Sequence, residues 1–291
     1  MVAIPFKPRR FRSTAEYYAR YRVPYPPELL EAVAARVGLE PGDRVLDLGC
    51  GPAMLAIGFA RLGMATTAVD PEPEMLEAAR AAVRGAGLGV DVVQGSSYDL
   101  GPHLGRFKLV TMGRSFHWMD RPATLATLDR LIEPRGAVAL FHDRRISSSG
   151  DWQGLIIKAT EQHAPEGTVA RRIRRSPDWD PHEGVLLASA FCRVETMGRV
   201  FAQTLGVEEV LGRAYSMSAS SPETLGANQT AFEAAVRRGL AEINPEGRFT
   251  EVVEANAIIA FRAAETASDT LDAPGFQDEP VRGDASAGRR S

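Results

Sequence analysis

Two cysteines in 291 residues, Cys50 and Cys192, supply no disulfide framework, which suits a reducing compartment. Neither they nor the five histidines, His103, His117, His142, His163 and His182, stand at metal-ligand spacing, so no metal is expected. Excess charge is missing as well. A net charge of −3 gives no reason to expect a polyanionic partner, and no nucleic acid is expected. No stretch approaches the roughly 18 apolar residues of a membrane span, and no internal repeat is visible. The opening residues, MVAIPFKPRRFRSTAEYY, are basic but lack the apolar core of a secretory leader. The expectation is a cytoplasmic protein without a membrane partner, monomeric or homodimeric.

What is present is an ordinary globular composition, 44% hydrophobic and 24% charged, in a chain long enough for one large domain with an insertion. Residues 1–26 read as a loose arm followed by a short helix, Ser13–Tyr21, that Pro24, Pro26 and Pro27 interrupt. Pro27 is placed to open the next helix, through Val37. Apolar runs then alternate with helical segments over 27–146. Candidate strands are Arg44–Gly49, Ala65–Asp70, Val90–Gln94, Phe107–Met112 and Ala137–His142. Candidate helices are Ala53–Leu62, Pro73–Val83 and Pro122–Ile132, with a short or irregular helix within Tyr98–Leu104. Continuous apolar strands separated by helices predict an α/β fold whose parallel sheet is covered on both faces. The rhythm breaks over 147–190, an insertion rich in Arg, Asp, Pro and His. It returns over 191–266 with strands at Cys192–Phe201 and Val252–Phe261 and helices at Val207–Met217 and Pro222–Leu240. The tail, 267–291, is expected to be disordered.

The segment VLDLGCGPAMLAIGFARLGMATTAVDPEPEML, Val45–Leu76, concentrates the chemistry. In an open parallel sheet, ligands bind beyond the carboxyl ends of the strands. Asp47, Gly49, Cys50 and Gly51 fall at the end of the first strand, where glycine lets the chain turn sharply and approach a ligand. Asp70, 21 positions after Gly49, ends the second strand, where a carboxylate can accept from both ribose hydroxyls. A dinucleotide site would need a third small residue at position 54, which is Met54. The small residue is Ala53, giving G-x-G-x-A. An acid at Asp47 also suits a cationic ligand better than a pyrophosphate. A nicotinamide-dependent oxidoreductase is thereby disfavoured, while a non-catalytic protein of the same fold stays open.

The segments VLDLGCGPAM, AVDPEPEML, VQGSSYDL and VTMGRSFHWMD follow the order and spacing of class I S-adenosylmethionine-dependent methyltransferases. With AEYYARYRVPYP ahead of them, the chain resembles the small-molecule branch of that family that contains trans-aconitate methyltransferase. The resemblance covers residues 11–143. It implies a Rossmann-like sheet of seven strands in the order 3-2-1-4-5-7-6, the last antiparallel, with the insertion after strand 5 roofing the pocket. It also implies S-adenosylmethionine as cofactor and methyl transfer to a small organic acceptor. Gly49 and Gly51 would line the methionine end, Asp70 and Pro71 the ribose, and Ser96 and Ser97 the adenine. Arg114 to Trp118 would lie between cofactor and substrate. Two departures stand out: Ala53 at the glycine turn, and Lys108 where relatives usually carry Asp.

For the acceptor, His117 is the candidate base or orienting residue, with Trp118 beside it and His142 at the end of the fifth strand. Tyr17, Tyr18, Tyr21 and Arg22 are candidates for a lid, with Tyr21 and Arg22 reaching the cofactor. In ARRIRRSPDWD, Arg171, Arg172, Arg174 and Arg175 are candidates for an anionic acceptor, since guanidinium matches carboxylate well.

Overall fold

The computed structural model describes Ile4 and residues 9–263; the tail expected from 267 onward and most of the first eight residues lie outside the described residues. Along the chain run α1 (Ala15–Tyr21), α2 (Pro27–Val37), β1 (Arg44–Leu48), α3 (Met54–Arg61), β2 (Ala65–Asp70), α4 (Pro73–Ala86), β3 (Val90–Gln94) and β4 (Phe107–Gly113). Next come α5 (Arg121–Leu131), β5 (Ile132–Ser148), α6 (Trp152–His163), α7 (Val169–Arg174), α8 (His182–Leu187), β6 (Arg193–Gly206), α9 (Val207–Tyr215), α10 (Pro222–Leu225), α11 (Gln229–Ile243) and β7 (Arg248–Phe261).

The helices start and stop where backbone chemistry requires. Proline opens α2 and α4, and Gly38 and Gly87 close them in the left-handed conformation, at φ +71° and +66°. Asp120 caps α5 by accepting from the Ala123 N–H at 3.1 Å, and Asp151 caps α6 by accepting from the Gly154 N–H at 3.0 Å.

The seven strands lie in the order β3-β2-β1-β4-β5-β7-β6. β1 to β5 are parallel, and β7 is antiparallel to both β5 and β6. Alternate side chains point to opposite faces. Val45, Leu109, Ala139, Phe141 and Ile259 therefore pack with α2 and α3, whereas Leu46, Val110, Val138, Leu140 and Ile258 pack with α5 and α8. Tyr25 and Phe59 both meet Phe141 edge-on, at 5.5 and 6.2 Å between ring centres. Each such ring adds about 0.5–1.5 kcal/mol beyond the area it buries.

Five expected elements differ, two of them in length alone: β6 runs on to Gly206 and β7 begins at Arg248. β5 is not Ala137–His142 but the 17-residue strand Ile132–Ser148. Its polar end is held by β7, whose register continues through Arg144↔Glu254 to Ser148↔Glu251, with an Arg144–Glu254 ion pair at 2.8 Å. The helix expected over Pro222–Leu240 breaks at Gly226, which takes φ +52°, and resumes as α11. The insertion, which showed no strand, is helical: Trp152, Ile156 and Ala159 of α6 pack with Phe232, Val236 and Leu240 of α11. Among the described residues no helix is long and apolar enough to cross a membrane.

Candidate functional site

β1 ends in a turn with three positive φ values at alternate positions: Gly49 (+68°), Gly51 (+52°) and Ala53 (+62°). The N–H groups of Gly49 and Cys50 both donate to the Val69 carbonyl, at 2.8 and 3.0 Å, and fasten the turn to β2. A Cβ on Gly49 would lie 2.6 Å from the Ser115 Cβ, so glycine is required here by the approach of the loop after β4 as well as by φ. Ala53 is fully buried among Ala56, Ala68 and Leu76, so its extra methyl packs in the core. Lys108 stands far from the turn and pairs with Asp43 at 2.7 Å.

Asp70 closes the arrangement. Its Oδ2 accepts from the Gly51 N–H at 2.8 Å and its Oδ1 from the Glu72 N–H at 2.9 Å. Burial raises its pKa, with the two N–H groups acting against that. Gly49, Gly51, Asp70, Pro71, Ser96, Ser97 and Arg114 share the wall of one crevice with Arg10, Phe11, Tyr18, Glu72 and Tyr98. The Ser96 hydroxyl donates to Asp99 at 2.7 Å, leaving it as an acceptor only.

Asp47 and Cys50 are not on that wall. Asp47 lies behind the turn, 1% exposed, where Oδ2 accepts from the Ala56 N–H at 3.1 Å and Oδ1 from the Thr111 hydroxyl at 3.2 Å. It anchors the start of α3 to β4. Cys50 packs in the core between α3 and α4.

A second cavity of about 640 Å³ adjoins the first and shares Phe11, Tyr18, Arg114, Ser115 and Trp118 with it. His117, Trp118 and His142 line it, with Arg22 from the end of α1 and Arg171, Arg174 and Arg175 from α7 and its C-terminus. Three expected members lie elsewhere. Tyr17 packs on Tyr215 at 5.3 Å, and Tyr21 fills the space beside Gly212, where a Cβ would lie 2.4 Å from its ring. Arg172, one position from Arg171 on the short α7, is exposed and off the wall.

Charge on this wall is unevenly matched. Arg114 pairs with Asp143 and Arg213 with Glu251. Arg22, Arg171, Arg174 and Arg175 have no carboxylate within ion-pair distance among the described residues. Loss of water at the wall, then the neighbouring guanidiniums of Arg171, Arg22, Arg10 and Arg175, lower the pKa of Arg174. Loss of water also lowers His117 well below the usual imidazole value and brings His182 to about 4, so both rings are neutral at pH 7.

The family model for a methyltransferase domain matches residues 45–136, the span from β1 into β5 that builds the glycine turn, Asp70 and the loop after β4. That stretch carries a methyltransferase domain. A ubiquinone biosynthesis O-methyltransferase of Xanthomonas campestris pv. campestris is 40% identical over 116 residues, 39% of this chain and 48% of that protein. An uncharacterized methyltransferase of Mycobacterium bovis is 30% identical over 138 residues, 46% of this chain and 52% of that protein. The chain thus spans about half the length of the curated relatives it matches. A solved structure, a provisionally named type II methyltransferase from Anaeromyxobacter dehalogenans, shares the fold at 19% identity and TM-score 0.53, over 83% of this chain and 98% of that one.

The crevice of the methyltransferase domain fits S-adenosylmethionine. Each oxygen of Asp70 receives one backbone N–H and keeps a lone pair for a ribose hydroxyl. The backbone at Gly51 faces open space, with only the Met75 sulfur, at 3.8 Å, near where a Cβ would be. Among the described residues no cluster of three or more His, Cys, Asp or Glu side chains could hold a metal.

Sequence reasoning missed Phe11 and Met119 in the glycine-turn crevice, and Trp152, Arg145, His182 and Arg213 around the larger cavity. Of these, Trp152 carried a signal, since the acid of an N-cap, Asp151, precedes it.

The position of Asp47 makes a prediction for the domain's stability. Burial pushes its pKa up to about 7, against an ordinary unfolded value near 3.9. Between those limits the folded state holds a proton that the unfolded state has lost, so this group's contribution to stability falls as pH rises through the window. Asp47→Asn removes the titration and keeps the shape. Thr111 then turns its donor to the Leu46 carbonyl, 3.4 Å away, and accepts from the new amide. The variant's melting temperature should exceed the wild type's more at pH 8 than at pH 5, which thermal scans at both values would check.

Proposed function

We propose that the chain transfers a methyl group from S-adenosylmethionine to a small anionic acceptor. The observation that carries this reading is the wall of the larger cavity. Four guanidiniums without carboxylate partners, Arg22, Arg171, Arg174 and Arg175, line a space that opens onto the glycine-turn crevice at Tyr18, Arg114, Ser115 and Trp118. About 640 Å³ lies within the range of pockets that enclose small organic molecules. The relatives named for O-methylation in ubiquinone biosynthesis support an acceptor of small-molecule type.

S-adenosylmethionine, when bound, supplies a methyl on a sulfonium, a leaving group that departs as a neutral thioether. The side chains therefore need mainly to hold the acceptor's attacking atom on axis. Asp70 holds the ribose, and Gly49 and Gly51 let the backbone come close to the cofactor. Arg174 and its neighbours draw in the anion. His117 and His142, kept neutral by loss of water, orient the acceptor. A carboxylate acceptor arrives without a proton, so no base is required of either ring.

The test is incubation with methyl-labelled cofactor and a panel of small organic acids, followed by identification of the labelled ester or ether. Against the acid that is turned over, Arg174→Ala should raise KM at least tenfold with a smaller change in kcat. Label remaining on the cofactor with every acid, or an unchanged KM, overturns the reading.

A further inference from the structure

Three residues that line the larger cavity each carry a side-chain donor that is shut off from solvent and has no hydrogen-bond partner among the described residues: Arg22 Nε, Arg114 Nη1 and Trp152 Nε1. No carboxyl, hydroxyl or carbonyl side-chain oxygen on that wall is left in the same state. The wall therefore offers unused donors and no unused buried side-chain acceptor. An enclosed donor without a partner destabilises the fold, and a ligand rich in lone pairs removes that cost.

The three come from different parts of the chain, and one residue ties two of them together. Arg213 Nε donates to the Tyr21 carbonyl at 3.2 Å, directly ahead of Arg22. The guanidinium of Arg213 also lies 6.0 Å from the centre of the Trp152 rings. Arg22 is fixed from the same side, where its Nη2 donates to the Ser216 carbonyl at 3.0 Å. Arg213 is neutralised by Glu251, and Arg114 by Asp143. Asp143 also attracts Arg22, so three guanidiniums share two carboxylates and the group carries one positive charge in excess.

We infer that Arg22, Arg114 and Trp152 form the seat for an oxyanion group of the acceptor, with the Trp152 indole N–H as a direct donor to it. This rests on the anionic-acceptor reading above and goes further by giving the anion a place and an unexpected ligand. Trp152 is 2% exposed and sits on the first turn of α6. Selectivity for the group is thus set jointly by the end of α1 and by the inserted segment. Carboxylate and phosphate share the chemistry the seat recognises.

Nuclear magnetic resonance of protein labelled with 15N-tryptophan tests this without turnover. The chain has three tryptophans, and Trp152→Phe identifies the indole signal of Trp152. Benzoate and inorganic phosphate are titrated separately, with and without S-adenosylhomocysteine. The Trp152 indole proton should move downfield and saturate with at least one of them, and the tighter probe names the group. Arg22→Gln should raise the half-saturating concentration at least tenfold while the Trp118 and Trp179 signals keep their dispersion. A Trp152 signal unmoved by both probes, or equal saturation in Arg22→Gln, overturns the seat. Calorimetry with S-adenosylhomocysteine reads the cofactor separately: a seat that binds anions in a protein that ignores this compound would retire the methyltransferase reading and keep the seat.

Discussion

Gly49→Ala is expected to abolish S-adenosylhomocysteine binding in calorimetry and to lower the melting temperature by about 5 °C or more. Two costs combine at this position. A residue with a side chain held at φ +68° loses roughly 1–2 kcal/mol. The new methyl would also stand 2.6 Å from the Ser115 Cβ and 2.9 Å from its Oγ. Ser115 cannot swing away cheaply, because its hydroxyl donates to the Leu48 carbonyl at 2.8 Å and so holds the loop after β4 against the end of β1. Relief comes only by parting those two segments, between which the crevice lies. Gly51→Ala provides the internal comparison. It carries the strain of φ +52° but meets only the Met75 sulfur at 3.8 Å, so its loss of stability should be smaller. A melting temperature and dissociation constant unchanged in Gly49→Ala would show that the turn does not depend on this contact.

Asp70→Asn should weaken S-adenosylhomocysteine at least tenfold. Charge-assisted hydrogen bonds of about 1.5–3 kcal/mol each are at stake, and the amide nitrogen of asparagine can only donate. The amide is a more informative change than alanine. Asp70→Ala would strip both the Gly51 and the Glu72 N–H groups of their partner, whereas the amide oxygen keeps one of them, so less collapse of the turn is mixed with loss of the ligand. A pH profile separates charge from shape. Because burial raises the pKa of Asp70, and hydroxyl donors favour its ionised form, affinity should fall as pH drops through a value above the usual carboxylate range. In Asp70→Asn that fall should be absent. Equal affinity of the two proteins across pH 5 to 8 would place the ribose elsewhere.

The cofactor half was largely legible because its signals are local. β2 and β3 take the expected bounds, as does α2, whose opening proline and closing glycine stand in the sequence. Asp70 was legible for the same reason: a carboxylate at the end of an apolar strand beside a glycine turn. Asp47 shows the limit of that logic. It stands on the same face as Asp70, but in register with Ala68, two positions short of the strand's tip, so its side chain is covered by α3 and serves Ala56 and Thr111 in the core. The acceptor half depends on distant partners. Tyr17 and Tyr21 are turned inward by α9, about 190 positions further on, through Tyr215 and Gly212. Residues 143–148 form a strand only because β7 lies alongside them, and polar residues in isolation give no such pattern. The helical character of the insertion is likewise set by burial against α11.

The long antiparallel end of the sheet bears on how such a protein can change over time. β5, β7 and β6 run on past the parallel strands as a rigid ledge, and α6 and α9 spring directly from it. The crevice proposed to grip the nucleoside and the cavity proposed to choose what is modified are therefore built from different parts of one framework. On the proposed reading, substitutions among the residues overhanging the ledge retune the chemistry of the guest and leave the donor's berth intact, so new preferences arise without rebuilding the fold from its first strand.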